Sequence, residues 1–230
     1  FGRLDWQMNE AHRATLRTTY SDFFYDNSIP DRELSVLESR GNQKSREVQV
    51  MASVKSNLAS RTTNDFRLAY TNRILENQAN VRLPRAWVNV SSALPTGGTG
   101  TNQVLQFGGQ RTSPELQTEV SYQLVNVLRL DRDRSAFTLG TDHSLNDLSM
   151  FVSIETDGLF QFPNLAALEA RRPSSFARLV PLKELEPRMN QWVYDGGAFA
   201  QAEFRPRSNL TLSAGLRADV SAFLSAANPN

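Results

Sequence analysis

The stretch GGAFAQAEFRPRSNLTLSAGLRADV, residues 196–220, decides the fold. Ala198, Ala200, Ala202 and Phe204 recur at every second position against Gln201 and Glu203. After the polar run 205–209, Leu210, Leu212, Ala214 and Leu216 resume the same period. A period of two puts alternate side chains on opposite faces of a strand, whereas a helix would repeat every three or four residues. Two such runs around a short polar break are an antiparallel hairpin.

The unit recurs three times towards the N-terminus. Gly2, Leu4, Trp6 and Met8 alternate with Arg3, Asp5 and Gln7. The chain turns at 9–12 and returns through Ala14, Leu16, Thr18 and Tyr20 against Arg13, Thr15, Arg17 and Thr19. Val48, Val50, Ala52 and Val54 stand against Gln49, Ser53 and Lys55. They turn at 59–62 and are answered by Phe66, Leu68 and Tyr70 against Asp65, Arg67 and Thr71. Val120, Tyr122, Leu124 and Leu128 oppose Glu119, Ser121, Gln123 and Arg129, turn at 131–134, and return through Phe137 and Leu139. The spacing predicts eight antiparallel strands near 1–8, 13–23, 46–58, 63–75, 116–130, 135–144, 195–205 and 209–221, each joined to its sequence neighbour.

The connections decide the class. Within a hairpin they are about four or five residues long, and between hairpins they run over 24–45, 76–114 and 144–190. Strict alternation of short and long is the rule of membrane barrels, with short periplasmic turns and long extracellular loops. The long stretches carry Asn27 to Pro30, the Pro95 to Gly100 run and Asp157-Gly158. This last pair predicts a small hairpin in which Met150, Val152 and Ile154 are answered by Leu159 and Phe162. Trp6, Phe137 and Phe204 near turn ends, with Tyr20 and Tyr70 near loop ends, occupy the positions of two aromatic girdles. The fold class is therefore all-β: about eight antiparallel transmembrane strands, with residues 1–230 forming part of one outer-membrane barrel domain.

Composition agrees. The chain has 230 residues, a net charge of +1 with both signs interspersed, and no cysteine. It offers no one-signed surface for nucleic acid, no disulfide and no thiolate chemistry. Mean hydropathy is −0.43 and no run of about 18 apolar residues occurs, which excludes a transmembrane helix. A barrel strand is apolar only at alternate positions, so a barrel is compatible with that average. The chain opens at Phe1 inside an alternating segment, and the expectation is that it is cut from something larger.

No catalytic or cofactor motif carries through, and no enzyme activity is expected. Asp142-His143-Ser144 has the residue types of a hydrolytic triad, but neighbours on a strand point to opposite faces. His12 lies in a turn and is the only other histidine. Gly97-Gly98-Thr99-Gly100 lacks the strand, helix and lysine of a phosphate loop. Asp131 and Asp133 alternate with Arg132 and Arg134, which makes a charge-balanced turn rather than a calcium loop. Asn89-Val90-Ser91 and Asn209-Leu210-Thr211 match a glycosylation pattern that means little in a bacterial envelope. The remaining candidates are the inward polar residues Arg17, Lys55, Arg67, Glu119, Arg129, Gln201, Glu203, Arg217 and Asp219, read as lumen-lining. Leu16, Val50, Leu68, Leu124 and Leu212 are read as facing lipid, and Gln123 as facing the lumen.

The segment FGRLDWQMNEAHRATLRTTYSDF resembles early barrel hairpins of TonB-dependent receptors, particularly the large Oar-like group, in which a carboxypeptidase-regulatory-like domain precedes the plug. GGAFAQAEFRPRSNLTLSAGLRADV resembles that group's strand-turn-strand signature, and GLFQFPNLAALEARRPSSFARL the loop before it. The resemblance covers most of the chain and is weakest at 76–101 and 174–188. It implies a barrel of about twenty-two strands with a plugged lumen. It also implies uptake or capture of a bulky nutrient at the bacterial outer membrane, with partners comprising outer-membrane lipid, a plug domain, further barrel strands, and TonB acting through the plug. No residues here correspond to the plug or to the energy-coupling box. Two other readings are open at this point: a complete small eight-stranded barrel acting as envelope anchor or adhesin, and a secreted β-sandwich binding module.

Overall fold

A computed structural model describes residues 1–28, 34–91, 97, 98, 100, 103–180 and 188–225. Strands are numbered along the chain. Eight of them, β1 (Gly2–Gln7), β2 (His12–Tyr25), β4 (Gly41–Ala59), β5 (Thr62–Ala79), β8 (Glu115–Asp131), β9 (Ser135–Val152), β12 (Arg188–Arg207) and β13 (Leu210–Phe223), form one sheet in that order. Every pairing in it is antiparallel. All four short connections, at 8–11, 60–61, 132–134 and 208–209, therefore lie at one end of the sheet and the long ones at the other.

Successive hairpins reach further at the turn end. The β2–β4 ladder ends at His12 opposite Ser56, while β4 continues to Ala59. The β9–β12 ladder begins at Ser135 opposite Phe204, while β12 continues to Arg207. A stagger of constant sign is what a sheet needs to curl into a barrel with tilted strands. Backbone bonds tie each turn to the next: Asn57 N–H donates to the Ala11 carbonyl, Asp131 to Arg61 and Arg205 to Arg134, at 2.7–2.8 Å.

The sheet is open. Strands β1 and β13 are its two edges and do not pair with each other, so a closed eight-stranded barrel does not form. Among the described residues no second sheet covers the first, so a sandwich does not form either. Among the described residues only Ala86, Val88, Ala136 and Leu159 are buried hydrophobics, whereas Leu4, Trp6, Leu16, Leu68, Tyr122, Leu139, Leu212 and Leu216 are all more than two-fifths exposed. A soluble sheet of this size would bury such rows, since leaving them in water forfeits the main driving force of folding.

Strands β4, β5, β9 and β12 are 18 to 20 residues long, about twice what crosses a bilayer. They overrun the predicted boundaries at the loop end because the apolar period stops there while the hydrogen-bonded ladder does not. Beyond Tyr20 and Val48 the apolar face becomes polar, with Asp22 opposite Arg46 and their charges 3.9 Å apart. Asp147 and Asn190 mark the same change on β9 and β12. His12, expected in a turn, is the first residue of β2, its Nδ1 2.9 Å from Ser56 Oγ.

The long connections, expected to be loops, fold together. β3 (Leu34–Ser35), β6 (Arg85–Val90), β7 (Gln103–Gly108), β10 (Leu159–Phe162) and β11 (Ser175–Ala177) make a second sheet in the order β11-β10-β6-β7-β3. A five-residue helix, Leu165–Glu169, follows β10, with Asn164 Oδ1 accepting from Ala167 N–H at 2.8 Å as its cap. The predicted hairpin across Asp157-Gly158 is not there. Phe151 and Val152 remain in β9, paired with Leu116 and Glu115, and β10 runs parallel to β6 instead. The Gly158 carbonyl accepts from Arg85 N–H at 2.8 Å. A distant partner whose Ala86 and Val88 become buried wins over the local turn signal. Of the loop breakers, Ile29, Pro30, Pro95, Thr96 and Thr99 lie outside the described residues, as does the end of the chain at 226–230.

Candidate lumenal wall

Register fixes which side chains share a face, because residues directly opposite in an antiparallel pair point the same way. One ladder crosses the whole sheet from Gln7 through Arg13, Lys55, Asp65, Val127, Gly140 and Phe199 to Arg217. Stepping by two from it places Arg17, Lys55, Arg67, Glu119, Arg129, Gln201, Glu203, Arg217 and Asp219 all on one face. The rung three residues along, Leu4, Leu16, Ala52, Leu68, Leu124, lies on the other face, and so do Val50 and Leu212.

On the polar face most of the charges near the turn end are paired. Asp65 is the centre of one cluster, with Arg67 Nε at 2.9 Å and Lys55 Nζ at 3.8 Å. Arg129 lies 3.0 Å from Asp131 and 4.0 Å from Glu203, which in turn has Arg205 at 3.9 Å. Arg217 and Asp219 form a pair at 2.6 Å. Arg17 stands apart from these, its guanidinium 5.6 Å from the Phe1 ring. Asp5, with Arg3 at 2.7 Å and Arg13 at 3.2 Å, and Gln123, donating to Asp142 at 2.9 Å, complete the set. Asp5, Asp65 and Asp142 are partners that strand parity could have named, since each occupies the same parity as its cation or amide. Phe199 lies over Gly140, where an added Cβ would collide with the ring.

Towards the loop end this face becomes a mixed surface. A recess of about 640 Å³ is lined by Arg73, Leu75, Gln117, Glu119, Leu148 and Met189. Glu119 is the one predicted residue that borders it. Beside it a second hollow of about 330 Å³ holds Phe23 and Tyr25, whose rings stack at 6.3 Å. Sequence reading stopped short of these residues because they lie past the apolar band that marked the strands.

The would-be triad is split as strand geometry requires. Asp142 and Ser144 lie on the polar face, while His143 lies on the apolar face with its Nδ1 2.7 Å from Tyr194 Oη. Asp131 is held by Arg129, and Asp133 is ion-paired with Arg61 of the neighbouring turn. Among the described residues no group of three His, Cys, Asp or Glu could hold a metal ion.

In the loop sheet Arg85 is almost fully buried, ion-paired to Glu155 and placed over the Trp87 ring at 4.6 Å. Burial pushes its pKa below the ordinary arginine value, and the charge of Glu155 works against that shift. Trp87 Nε1–H donates to Gln106 Oε1 at 3.0 Å, and the Gln106 carbonyl accepts from Val36 N–H at 3.1 Å. Side chains and backbone thus link all three long connections.

An open, staggered antiparallel sheet with one charged and one apolar face is the wall of a membrane barrel. Over residues 1–230 the sequence matches the family described as outer membrane beta barrel domain. The chain belongs to that family, whose members reside in the bacterial outer membrane. No curated protein matches it in sequence. Among solved structures it is similar in fold to the outer membrane transporter YddB from Escherichia coli, with a TM-score of 0.56 and 12% identity. The likeness covers 98% of this chain and 27% of the transporter, so the chain spans about a quarter of that protein's length.

Proposed function

We propose that this segment is part of the wall of a TonB-dependent outer-membrane transporter or receptor of the Oar-like type, which takes up or captures a bulky nutrient without catalysing a reaction. The observation that carries the reading is the segregation of all nine inward candidates, Arg17 to Asp219, onto one face of an open sheet. Eight strands with two unpaired edges cannot stand in hydrocarbon, where backbone groups have no water to bond. Further strands must continue the wall, and the quarter-length likeness to a transporter fits a larger barrel. A barrel of about twenty-two strands has a plugged lumen, and paired charges on the inner face suit a hydrated surface against that plug. The long connections then lie outside the cell and the short turns in the periplasm.

The test has two parts in the full-length protein. Arg67→Cys should react with a water-soluble maleimide and Leu68→Cys only with a lipid-soluble one; the reverse would overturn the face assignment. Photocrosslinking to TonB in cells should depend on the plug region. A barrel with the expected labelling but no TonB crosslink would leave the wall standing and reject coupled uptake.

A further inference from the structure

The apolar face carries a row of tyrosines. Tyr70, Tyr122, Leu145 and Tyr194 are successive partners across β5, β8, β9 and β12. Tyr20 and Tyr70 meet polar residues on the loop side: Tyr20 Oη donates to Asp22 at 2.9 Å, and Asn72 donates to Tyr70 Oη at 3.3 Å. Tyr194 does the opposite. Its ring lies along the sheet over Gly196, where a Cβ would collide with the phenol oxygen, and it reaches His143 on the turn side of the row. The two rings stack at 6.1 Å and 16°.

This arrangement leaves a notch. Leu145 is shorter than the tyrosines beside it, and with Tyr194 folded down the row is broken between β8 and β12. The recess holds about 440 Å³ and is lined by Leu68, Tyr70, Tyr122, Leu124, His143 and Tyr194. Its loop-side rim carries phenols, and one step deeper the His143 imidazole is level with Leu68 and Leu124. His143 Nδ1 and Tyr194 Oη share one hydrogen bond, and no hydrogen bond to Nε2 occurs among the described residues. Polar hydrogens at this depth cost free energy unless they find an acceptor.

We propose that His143 carries its proton on Nε2, with Tyr194 O–H donating to Nδ1, and that the notch binds one acyl lipid of the loop-side leaflet, its ester or amide carbonyl accepting from Nε2–H and its chain running from the level of Leu68 and Leu124 towards the turn end. Membership of an outer-membrane family supplies the occupant, because lipid is what covers this face. The proposal rests on the apolar face pointing outward. Aromatic side chains at the headgroup level already favour such amphipathic contact; the notch adds shape and one directed donor.

The test is native mass spectrometry of detergent-exchanged full-length protein given lipopolysaccharide or phosphatidylethanolamine. Wild type should retain one lipopolysaccharide per barrel. His143→Phe should weaken retention about fivefold, the worth of roughly one net hydrogen bond. Gly196→Ala should do the same by lifting Tyr194, while Leu216→Ala, on the same face but away from the notch, should not. Variants are to be compared only after heat-modifiable gel mobility shows them folded, with His143→Gln as a polar alternative if both fail to fold. Equal retention in wild type and the notch variants, or retention of phosphatidylethanolamine alone, would overturn the site. Quenching of the added fluorescence of Leu68→Trp by brominated phospholipid checks the outward face separately: quenching with no variant effect rejects the site only, and its absence rejects the face assignment beneath it.

Discussion

Arg85 and Glu155 are ion-paired inside the loop sheet although they belong to different long connections. Arg85 keeps 3% of its side-chain surface exposed and Glu155 keeps 21%. Removing the acid leaves a buried cation with less compensation, the costly half of a broken pair. Glu155→Gln should open the loop sheet by about 2 kcal/mol, under the range for a fully buried pair because Glu155 is partly wet. Hydrogen exchange at Arg85 to Val90 and Leu159 to Phe162 should quicken, while β8 and β9 stay protected. Unchanged exchange in β6 and β10 would show that the pair does not hold the loops together.

Phe199 and Gly140 make a similar fit on the polar face. Gly140→Val would push the ring off its seat, an overpacking error that costs about 1–3 kcal/mol. The urea midpoint of the folded gel band should fall for Gly140→Val and be largely restored by Phe199→Ala in the same chain. Failure of that rescue would show that the ring is not seated on the glycine.

Much of this was legible in the sequence because membrane strands announce themselves by parity. Leu16 against Arg17, Leu68 against Arg67 and Leu124 against Gln123 assign a face locally, with no knowledge of the partner strand. The loop sheet was not legible for the converse reason. Arg85 to Val90 finds its partners at Gln103 to Gly108 and at Leu159 to Phe162, and one of those pairings is parallel. No local turn encodes a pairing between separate loops, so Asp157-Gly158 pointed to the nearest apolar run instead. The mixed recess around Arg73 and Met189 was missed because its strands continue where their apolar period has ended.

Sidedness gives a third test. The side chain of Asn9 shapes its turn by accepting from Ala11 and His12 N–H at 2.9 Å, so Glu10 is the better cysteine site. On intact cells, cysteines at Glu10 and Arg132 should be shielded from an impermeant reagent and one at Gly98 should react. Labelling at Glu10 with none at Gly98 would invert the topology.

The central claim is that strand parity separates lipid from lumen, and Leu124 and Gln123 put it to the sharpest test. They are neighbours on β8, away from the edges of the sheet, and point to opposite faces. Leu212 is less suitable, since it stands opposite Phe204 near the turn end, where a charge costs less than at mid-depth. An arginine at Leu124 would face hydrocarbon at a cost of about 2–4 kcal/mol. An arginine at Gln123 would meet Asp142, which already accepts from that position at 2.9 Å. The measurement is the folded fraction of full-length Leu124→Arg and Gln123→Arg in outer membranes, read by heat-modifiable gel mobility. Leu124→Arg should lose most of its folded band and Gln123→Arg should keep it; equal folding, or greater damage from Gln123→Arg, would contradict the assignment of the apolar face to lipid.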